Sequence, residues 1–534
     1  MAKIRVISAG EPTTTTPTTP VAAAAAVVVN ASPGGASHDG TTTDDGTDAA
    51  DNDNDAAAAV DGIDRHNRPR ARRDAILSSL RTRYSRIISS FDNTTTTTTT
   101  TATSSSSTTT ISSANYCDML IDLYRPVHDP AMVRFLIEAW PKWSAMGPPW
   151  DKDSCHPGWK GGHDDDDVPP LVPIHSAFRR GGPPCGTTEE RPSDNVMGAI
   201  GYYCTDAITP VVGSLARELA EDALAICTAV DRVFENDDGG YSGDGDDGAV
   251  VAYAVTTHPG HHASRDCFGG YCYLNNAALC ARLMQRRIAT GSRCVVVGGD
   301  DGGRVVVGNY WGDDDKGDDD DDGGEGDGDG ERGGSSSTAT TNRMTSQKKL
   351  LLPRVAIIDV DYHCGNGTAS IFYDDPSVFF ASIHIDPEID YPWNSGYADQ
   401  RGAGGGTGTT MHVPLPKGAT WDDVYGRALR DVMSAIAQFE PKALVVSLGL
   451  DTHEGDDVAV NRGGFALRDR DYYEMGLCMG RYMAGKRVPC VFVQEGGYKM
   501  DVVGDAASDV VGGYAVGMSS GEEEKERGGG GGGR

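Results

Sequence analysis

The sequence predicts an α/β fold built around a mostly parallel central sheet. Apolar runs of strand length alternate with segments that show helical spacing of apolar residues. The runs are nearly continuous, which is typical of strands covered on both faces. The five clearest runs are Ala249–Val255, Val355–Val360, Val378–Ile385, Ala443–Leu450 and Val488–Val493, and the helical segments include Asp422–Phe439 and Asp469–Met483. A repeat of strand, helix and strand favours a parallel sheet with helices on its faces.

Composition indicates that the folded part of the chain is diluted by segments that cannot form a core. The 534 residues suffice for one large domain with appendages, but only 38% are hydrophobic and 69 are glycine. Residues 1–114 are dominated by Thr, Ser, Ala, Asp and Gly, residues 298–349 are acidic and of low complexity, and residues 519–534 are rich in glycine. We therefore predict a disordered arm at 1–114, a folded domain at 115–518 that carries the acidic insert, and a disordered tail.

One segment of the N-terminal arm differs from the rest. Ile76, Leu80, Tyr84 and Ile88 recur every four residues among several arginines of Arg65–Ile88. This spacing predicts one apolar face of a basic helix. Two interpretations stay open, a transient helix in a flexible arm and a targeting or docking segment.

Charge and cysteine content narrow the class of protein. The 78 acidic and 47 basic residues give a formal charge of −31, which disfavours nonspecific binding to nucleic acid or anionic lipid and favours a cationic substrate. The 12 cysteines include no CxxC pair, which argues against a zinc ribbon and a secreted disulfide framework. The apolar run Val21–Val29 is shorter than the roughly 20 residues of a membrane span. We expect an intracellular protein, cytoplasmic or nuclear, with organellar targeting left open.

Polar residues follow four of the predicted strands at the point where each strand ends. They are Thr257–His262, Asp361–His363, Asp451 and Glu495–Tyr498. In open parallel sheets, ligands bind outside the carboxyl ends of the strands. The sequence therefore predicts that imidazoles, carboxylates and a phenol meet at one edge of the sheet.

The donor set at this edge suits a divalent metal ion. Asp359, Asp361 and His363 alternate along an extended segment, so their side chains project to one side, and Asp451 could approach from another strand end. Two carboxylates and one imidazole with an open position fit a catalytic divalent ion, most plausibly zinc. The competing interpretation is that Asp359 and Asp361 only cap a turn before Gly365.

The neighbouring loops carry candidates for proton transfer and substrate binding. His261 and His262 are adjacent, so one can act as a base near the attacked carbon and the other near the leaving group. Phe268–Tyr271 combines aromatic residues with glycines, as the walls of a narrow apolar slot would require. Tyr498 follows two glycines, where a phenol could donate a hydrogen bond to an oxyanion. Taken singly, a surface histidine and a hairpin tyrosine are the alternative interpretations.

Six ordered segments resemble the signatures of the histone deacetylase superfamily. They are His258–Ala263, Gly269–Asn276, Asp359–His363, Gly365–Thr368, Ser447–Thr452 and Glu495–Tyr498. Phe380–Pro387, Tyr391-Pro392, Gly396–Asp399 and Val445–Asp456 look closest to acetylpolyamine amidohydrolases and class II deacetylase-like proteins. The resemblance implies a three-layer arginase/deacetylase-type fold with one zinc ion, and makes 115–518 a deacetylase catalytic domain.

The resemblance also implies roles for single residues. The zinc ligands would be Asp361, His363 and Asp451. His262 would act as general base and then acid with Asn366 as its partner, and His261 paired with Asp359 would give electrostatic help or the proton of the leaving amine. Tyr498 would stabilise the oxyanion, and Gly270 and Tyr271 would line the substrate tunnel. A structural potassium ion is implied near Ser382, Phe372 and Val378.

One position departs from the family pattern. His363 is followed by Cys364, where the family has a second histidine. Because neighbouring residues of a strand point to opposite sides, Cys364 is expected to pack as a small hydrophobic residue. The alternative is a weakened zinc site or a redox-sensitive site.

We consider three functions at this stage. The first is a zinc-dependent deacetylase acting on acetyl-lysine in proteins or on N-acetylated polyamines. The second is a catalytically impaired protein that binds acyl-lysine within a regulatory complex. The third, an arginase-like ureohydrolase, would require a second metal site with more carboxylates. No direct nucleic-acid or membrane binding is expected, whereas a homo-oligomer stays open.

Overall fold

The computed structural model describes the sheet, its helices and the loops at the strand ends. The described residues are 3–8, 25–30, 69–84, 88–91, 113–147, 168–174, 178, 190–234, 250–294, 296–297, 305–306, 352–456, 464–484, 486 and 488–528. The predicted acidic insert at 298–349 lies outside these residues except for 305–306. Most of the predicted arm and the last residues of the predicted tail also lie outside them. Among the described residues, no helix is both long and apolar enough to cross a membrane.

A central sheet organises the described part of the chain. The strands are β1 (Lys3–Ser8), β2 (Ala25–Asn30), β3 (Ile88–Phe91), β4 (Val250–Val255), β5 (Val296–Val297), β6 (Val305–Val306), β7 (Val355–Asp359), β8 (Val378–Ile385), β9 (Thr410–Leu415), β10 (Ala443–Leu448) and β11 (Cys490–Gln494). The strand order of the central sheet is β3-β1-β2-β4-β11-β10-β7-β8-β9, and the six strands from β4 to β9 in this order run parallel. Strand β2 pairs antiparallel with β4, and β5 pairs antiparallel with β6 in a separate two-stranded sheet.

Helices cover both faces of the sheet. They are α1 (Pro69–Tyr84), α2 (Ser113–Tyr124), α3 (Pro130–Met146), α4 (Val196–Tyr203), α5 (Leu215–Val233), α6 (Asn276–Thr290), α7 (Asn366–Ile371), α8 (Gly426–Phe439), α9 (Asp469–Met483) and α10 (Met500–Gly528). Side chains of a strand alternate between the two faces, so Val355 and Ile357 belong to the same apolar core as residues of α2 to α7, whereas Ala356 and Ile358 belong to the core that includes residues of α1, α8, α9 and α10. The predicted three-layer α/β fold with a mostly parallel sheet is confirmed.

Helix α1 corrects the prediction made for the N-terminal arm. Ile76 and Leu80 are fully buried and belong to the same apolar core as Val510 of α10. The four-residue spacing seen in the sequence is therefore the face by which α1 packs against the body of the fold. A transient helix in a flexible arm therefore does not describe it, and the targeting or docking interpretation stays a prediction. Helix α10 spans Met500–Gly528 and crosses the domain boundary predicted at residue 518, which also stays a prediction.

The strand order brings the chemically active loops together. Strands β4, β11, β10 and β7 are consecutive parallel neighbours, so their carboxyl ends lie side by side. The loops that follow them contain His258–His262, Glu495–Tyr498, Asp451 and Asp361–His363. Four chain segments that are far apart in sequence thus meet at one edge of the sheet.

Candidate active site

Asp361, His363 and Asp451 surround a common point at this edge. His363 Nδ1 lies 3.3 Å from Asp361 Oδ1 and 3.3 Å from Asp451 Oδ2. One ligand atom from each of the three residues lies within 4.8 Å of the other two, and all three residues are buried. The three residues could therefore hold one metal ion.

The hydrogen bonds made by the carboxylates of Asp361 and Asp451 are those expected of ligands to a cation. Asp451 Oδ1 accepts a hydrogen bond from the Tyr362 amide at 3.0 Å, and Asp361 Oδ2 accepts one from the Gly496 amide at 2.9 Å. The second oxygen of Asp451 is buried and accepts no hydrogen bond. An unsatisfied buried carboxylate oxygen is costly, whereas coordination to a metal satisfies it. The oriented carboxylates and the orphaned oxygen therefore match the chemistry of a metal ligand set.

The pKa shifts of these three residues also indicate that positive charge is favoured at this point. Burial lowers the pKa of His363, but the neighbouring carboxylates of Asp361 and Asp451 outweigh it and raise that pKa to about 10. Burial and the negative charge of Asp361 raise the pKa of Asp451. For Asp361, the charges of His261 and His363 outweigh burial and lower the pKa. A divalent cation supplies the positive charge that these buried carboxylates require.

The adjacent histidines have partners of different charge. His261 Nδ1 lies 2.9 Å from Asp359 Oδ2, and His262 Nδ1 lies 2.7 Å from Asn366 Oδ1. Burial opposes protonation of His261, but Asp361 and Asp359 outweigh it and raise its pKa well above the usual value. For His262, burial together with the charges of His261 and His363 lowers the pKa well below the usual value. The surroundings therefore favour the neutral form of His262 and the protonated form of His261.

Tyr498 lies in the loop that follows β11 and carries a protonated phenol. It is buried, and burial followed by the charge of Asp451 raises its pKa well above the usual value. Its amide donates a hydrogen bond to Asp456 Oδ2 at 2.7 Å, and its ring centroid lies 6.2 Å from that of Tyr271. A phenol that keeps its proton can donate a hydrogen bond to a developing oxyanion.

Gly270 and Tyr271 form a sharp turn against the histidine pair. Both residues have positive φ, 58° for Gly270 and 63° for Tyr271. A Cβ atom at position 270 would lie 2.5 Å from His262 Cδ2 and 3.1 Å from the Tyr391 hydroxyl. Only glycine therefore allows the backbone to approach His262 this closely. The turn leaves Tyr271 half-buried beside Tyr498.

Comparison with known proteins identifies the family. A family model described as "Histone deacetylase domain" matches residues 80–300 and 339–514, which is more than half of the chain. The chain belongs to the histone deacetylase family. The predicted membership is thus confirmed, and it makes the chain a member of a family of deacetylases, which are hydrolases.

Two acetylpolyamine amidohydrolases match most of the chain, and a histone deacetylase matches a shorter part of it. The chain is 32% identical over 388 residues to acetylpolyamine amidohydrolase 1 of Pseudomonas aeruginosa, covering 73% of the chain and 81% of the relative. It is 32% identical over 390 residues to acetylpolyamine amidohydrolase of Mycoplana ramosa, covering 73% and 82%. Chloroplastic histone deacetylase 10 of Oryza sativa subsp. japonica is 38% identical over 164 residues, which is 30% of the chain and 34% of the relative.

A solved structure shares the fold. The crystal structure of acetylpolyamine aminohydrolase from Burkholderia pseudomallei matches with a TM-score of 0.52 and 22% identity. The match covers 84% of the chain and 90% of that structure. At this identity, the likeness supports the three-layer fold of the histone deacetylase family.

The sequence assigned no individual role to three residues of this site. Tyr391 stands edge-on to His262, with ring centroids 4.8 Å apart. Glu495 Oε2 accepts hydrogen bonds from the amides of Gly260 at 2.6 Å and His261 at 3.1 Å, which fixes the histidine loop. Tyr391 and Glu495 lie in segments that carried the family resemblance, but their sequence context gives no contact partner.

The third such residue is Arg72 of α1. It is fully buried, and its guanidinium nitrogens lie 3.3 Å from the carbonyl oxygens of Gly497 and Thr257. Its guanidinium carbon also lies 5.6 Å from the centre of the Tyr498 ring. Arg72 therefore links the tyrosine loop to the histidine loop from behind the site. The arginine-rich pattern of the arm was its only signal in the sequence.

Cys364 lies next to a candidate ligand but packs among other groups. Its sulfur is buried, 3.6 Å from His412 Nδ1, and burial raises the pKa of its thiol well above the usual value. Cys364 is therefore a neutral buried thiol. Its predicted effects on metal affinity and redox sensitivity stay predictions. The same holds for potassium near Ser382, whose hydroxyl is hydrogen-bonded to His384 Nδ1 at 2.8 Å.

Proposed function

We propose that the chain is a zinc-dependent deacetylase that hydrolyses the acetamide of an N-acetylated polyamine or of acetyl-lysine in a protein. The arrangement that carries the proposal is a neutral His262, held by Asn366, beside the ligand group whose Asp451 oxygen lacks a hydrogen bond. Metal-assisted amide hydrolysis requires a base, a set of metal ligands and a group that stabilises the oxyanion. Residues that could supply all three lie in the loops at this edge of the sheet.

The proposed metal ligands are Asp361, His363 and Asp451, and the proposed ion is zinc. Two carboxylates, one imidazole and an open position are a donor set that zinc accepts. Zinc bound there would polarise the acetamide carbonyl and lower the pKa of the attacking water.

In this proposal, the protein groups handle the protons and the negative charge. Neutral His262 takes a proton from the attacking water through its free Nε2, because Nδ1 is hydrogen-bonded to the Asn366 oxygen. Tyr498 donates its hydroxyl proton in a hydrogen bond to the carbonyl oxygen as that oxygen gains charge. His262 then returns the proton to the leaving nitrogen, so that acetate and a free amine are released. His261, kept protonated by Asp359, stabilises the negative charge of this step.

The substrate class is proposed from the relatives and from the aromatic rings beside the proposed catalytic residues. The relatives that match 73% of the chain are named for acetylpolyamines, whereas the rice histone deacetylase matches 30%. Tyr271 and Tyr391 flank the catalytic histidine and tyrosine, as a slender methylene stem would require. We therefore place N-acetylated polyamines first and acetyl-lysine second.

The two other functions considered from the sequence have less support. A catalytically impaired binder would be expected to lack part of the machinery, yet His261, His262 and Tyr498 are all retained. Among the described residues, the other two groups of potential metal ligands contain at most one carboxylate. That composition does not match the second metal site of a ureohydrolase.

The test combines metal analysis with turnover. Purified protein loaded with zinc is assayed with N-acetylputrescine and with an acetyl-lysine peptide, and released acetate is measured. We expect one equivalent of zinc and acetate release with the polyamine as the better substrate. A His262→Ala variant serves as the control for contaminating deacetylase. Zinc-loaded protein that releases no acetate from either substrate would contradict the proposal and favour the binding protein.

A further inference from the structure

The loop between α4 and α5 is tied to the wall of the proposed substrate slot by one carboxylate. Asp206 Oδ1 accepts hydrogen bonds from the amides of Ile208 at 2.8 Å and Thr209 at 2.9 Å. Its Oδ2 accepts a hydrogen bond from the Thr209 hydroxyl at 3.1 Å and one from the Gly270 amide at 2.5 Å. With four donors on its two oxygens, Asp206 is occupied as a structural acceptor and is not available to bind a substrate ammonium.

Thr209 extends this connection to the next residue of the turn. Its hydroxyl donates to Asp206 and accepts a hydrogen bond from the Tyr271 amide at 3.0 Å. Thr209 is fully buried. The two successive amides of Gly270 and Tyr271 therefore both end on this loop. Because a tyrosine at positive φ is strained, its conformation depends on such surrounding contacts.

The same loop also holds the start of the glycine turn. The Thr205 hydroxyl donates a hydrogen bond to the Phe268 carbonyl at 3.3 Å, and the Thr205 amide donates to the same oxygen at 2.9 Å. One five-residue loop, 205–209, thus binds the turn at Phe268, Gly270 and Tyr271.

We propose that Thr205, Asp206 and Thr209 are positioning residues that set the width of the substrate slot, so that linear N-acetyl amines are accepted and amines branched beside the acetylated nitrogen are rejected. The inference rests on the proposed deacetylase function. Asp206 and Thr209 fix the amides of Gly270 and Tyr271, and Thr205 fixes Phe268 at the start of the turn. Because none of the three touches the reacting atoms, they act through Tyr271 and the turn that carries it.

The test uses an isosteric pair at position 209. Thr209→Val keeps the shape of the side chain but removes the acceptor of the Tyr271 amide, whereas Thr209→Ser keeps the hydroxyl. Each is assayed with N-acetylputrescine and with the analogue that has a methyl group on the carbon bonded to the acetylated nitrogen. We expect the wild type to favour the linear amine by at least about tenfold in kcat/KM. In Thr209→Val this ratio falls by at least about fivefold, and in Thr209→Ser it is kept.

The ratio separates positioning from a loss of folded protein, because fewer active molecules lower both rates equally and leave the ratio unchanged. Thr205→Val, at an exposed position, removes the hydroxyl bonded to the Phe268 carbonyl without a buried substitution and is also expected to lower the ratio. Wild-type ratios in both valine variants would overturn the inference while leaving the deacetylase function intact. A wild type that hydrolyses neither amine would overturn the function and the inference with it.

Discussion

At the scale of single residues, the two adjacent histidines differ because their partners differ. A carboxylate stabilises the charged form of His261, whereas a neutral amide leaves His262 subject to burial and to the neighbouring positive charges. The partners, Asp359 and Asn366, are 98 and 104 residues away in sequence. The spacing of residues predicts that the two histidines share the chemistry. It does not predict which partner each histidine has, and that pairing follows from the fold or from the family resemblance.

The low pKa of His262 has a consequence for the pH profile. A general base must be neutral, so a pKa lowered below 6.5 keeps the base active as the pH falls through that value. A positive metal ion nearby acts in the same direction. We expect the acid limb of the kcat/KM profile for acetate release to lie below pH 6.5. In Asn366→Asp, where the partner is charged, the limb should move to higher pH. A limb above pH 6.5 in the wild type would contradict this assignment.

The role proposed for Tyr498 makes a second prediction. Tyr498→Phe keeps the ring but removes the hydroxyl that donates to the oxyanion. We expect kcat to fall about 10²- to 10³-fold with bound zinc unchanged. Tyr271→Phe, a matched change at the neighbouring ring, is expected to leave kcat within a few-fold of the wild type. Equal rates in Tyr498→Phe and the wild type would remove Tyr498 from the mechanism.

At the scale of elements, the buried parallel strands can be predicted from the sequence, whereas the partly exposed segments cannot. The run Val378–Ile385 coincides with β8, because a strand buried along its whole length is apolar at every position. Strand β9 was not predicted, since its residues alternate in burial at the edge of the parallel strands and include Pro414. Helix α1 was assigned to the arm because the low-complexity tracts around it hide its apolar face.

The correction to α1 can be tested by its effect on stability. Leu80 is fully buried against the α10 core, so Leu80→Ala removes buried methyl groups and leaves a cavity. We expect the free energy of unfolding to fall by about 2–5 kcal/mol in chemical denaturation. Ser78→Ala, at an exposed position of the same helix, is expected to change it by less than about 0.5 kcal/mol. Similar small effects for both variants would show that α1 is dispensable to the fold.

At the scale of the whole molecule, three neighbouring parallel strand ends gather several carboxylates inside the protein. Asp359, Asp361, Asp451 and Glu495 are all fully buried. Alternation along β7 predicts two of these carboxylates, while the meeting of β7, β10 and β11 follows only from the strand order. Such a concentration of buried acidic groups links the stability of the molecule to whatever positive charge it binds.

Metal removal should therefore destabilise the protein. A chelator is expected to lower the melting temperature, and added zinc to restore it, because zinc that binds only the folded state contributes about 4 kcal/mol at a thousand times its Kd. Asp451→Ala, which lacks one proposed ligand, should show no shift when zinc is added. A melting temperature that responds to zinc equally in both proteins would place the metal elsewhere.

The most direct test is a titration of metal-free protein with zinc while acetate release from N-acetylputrescine is followed. We expect activity to rise in proportion to added zinc, to reach its maximum at one equivalent, and to stay at background in Asp451→Ala. Full activity without metal, or an Asp451→Ala variant that is activated like the wild type, would contradict the assignment of Asp361, His363 and Asp451 as the ligands of a catalytic ion.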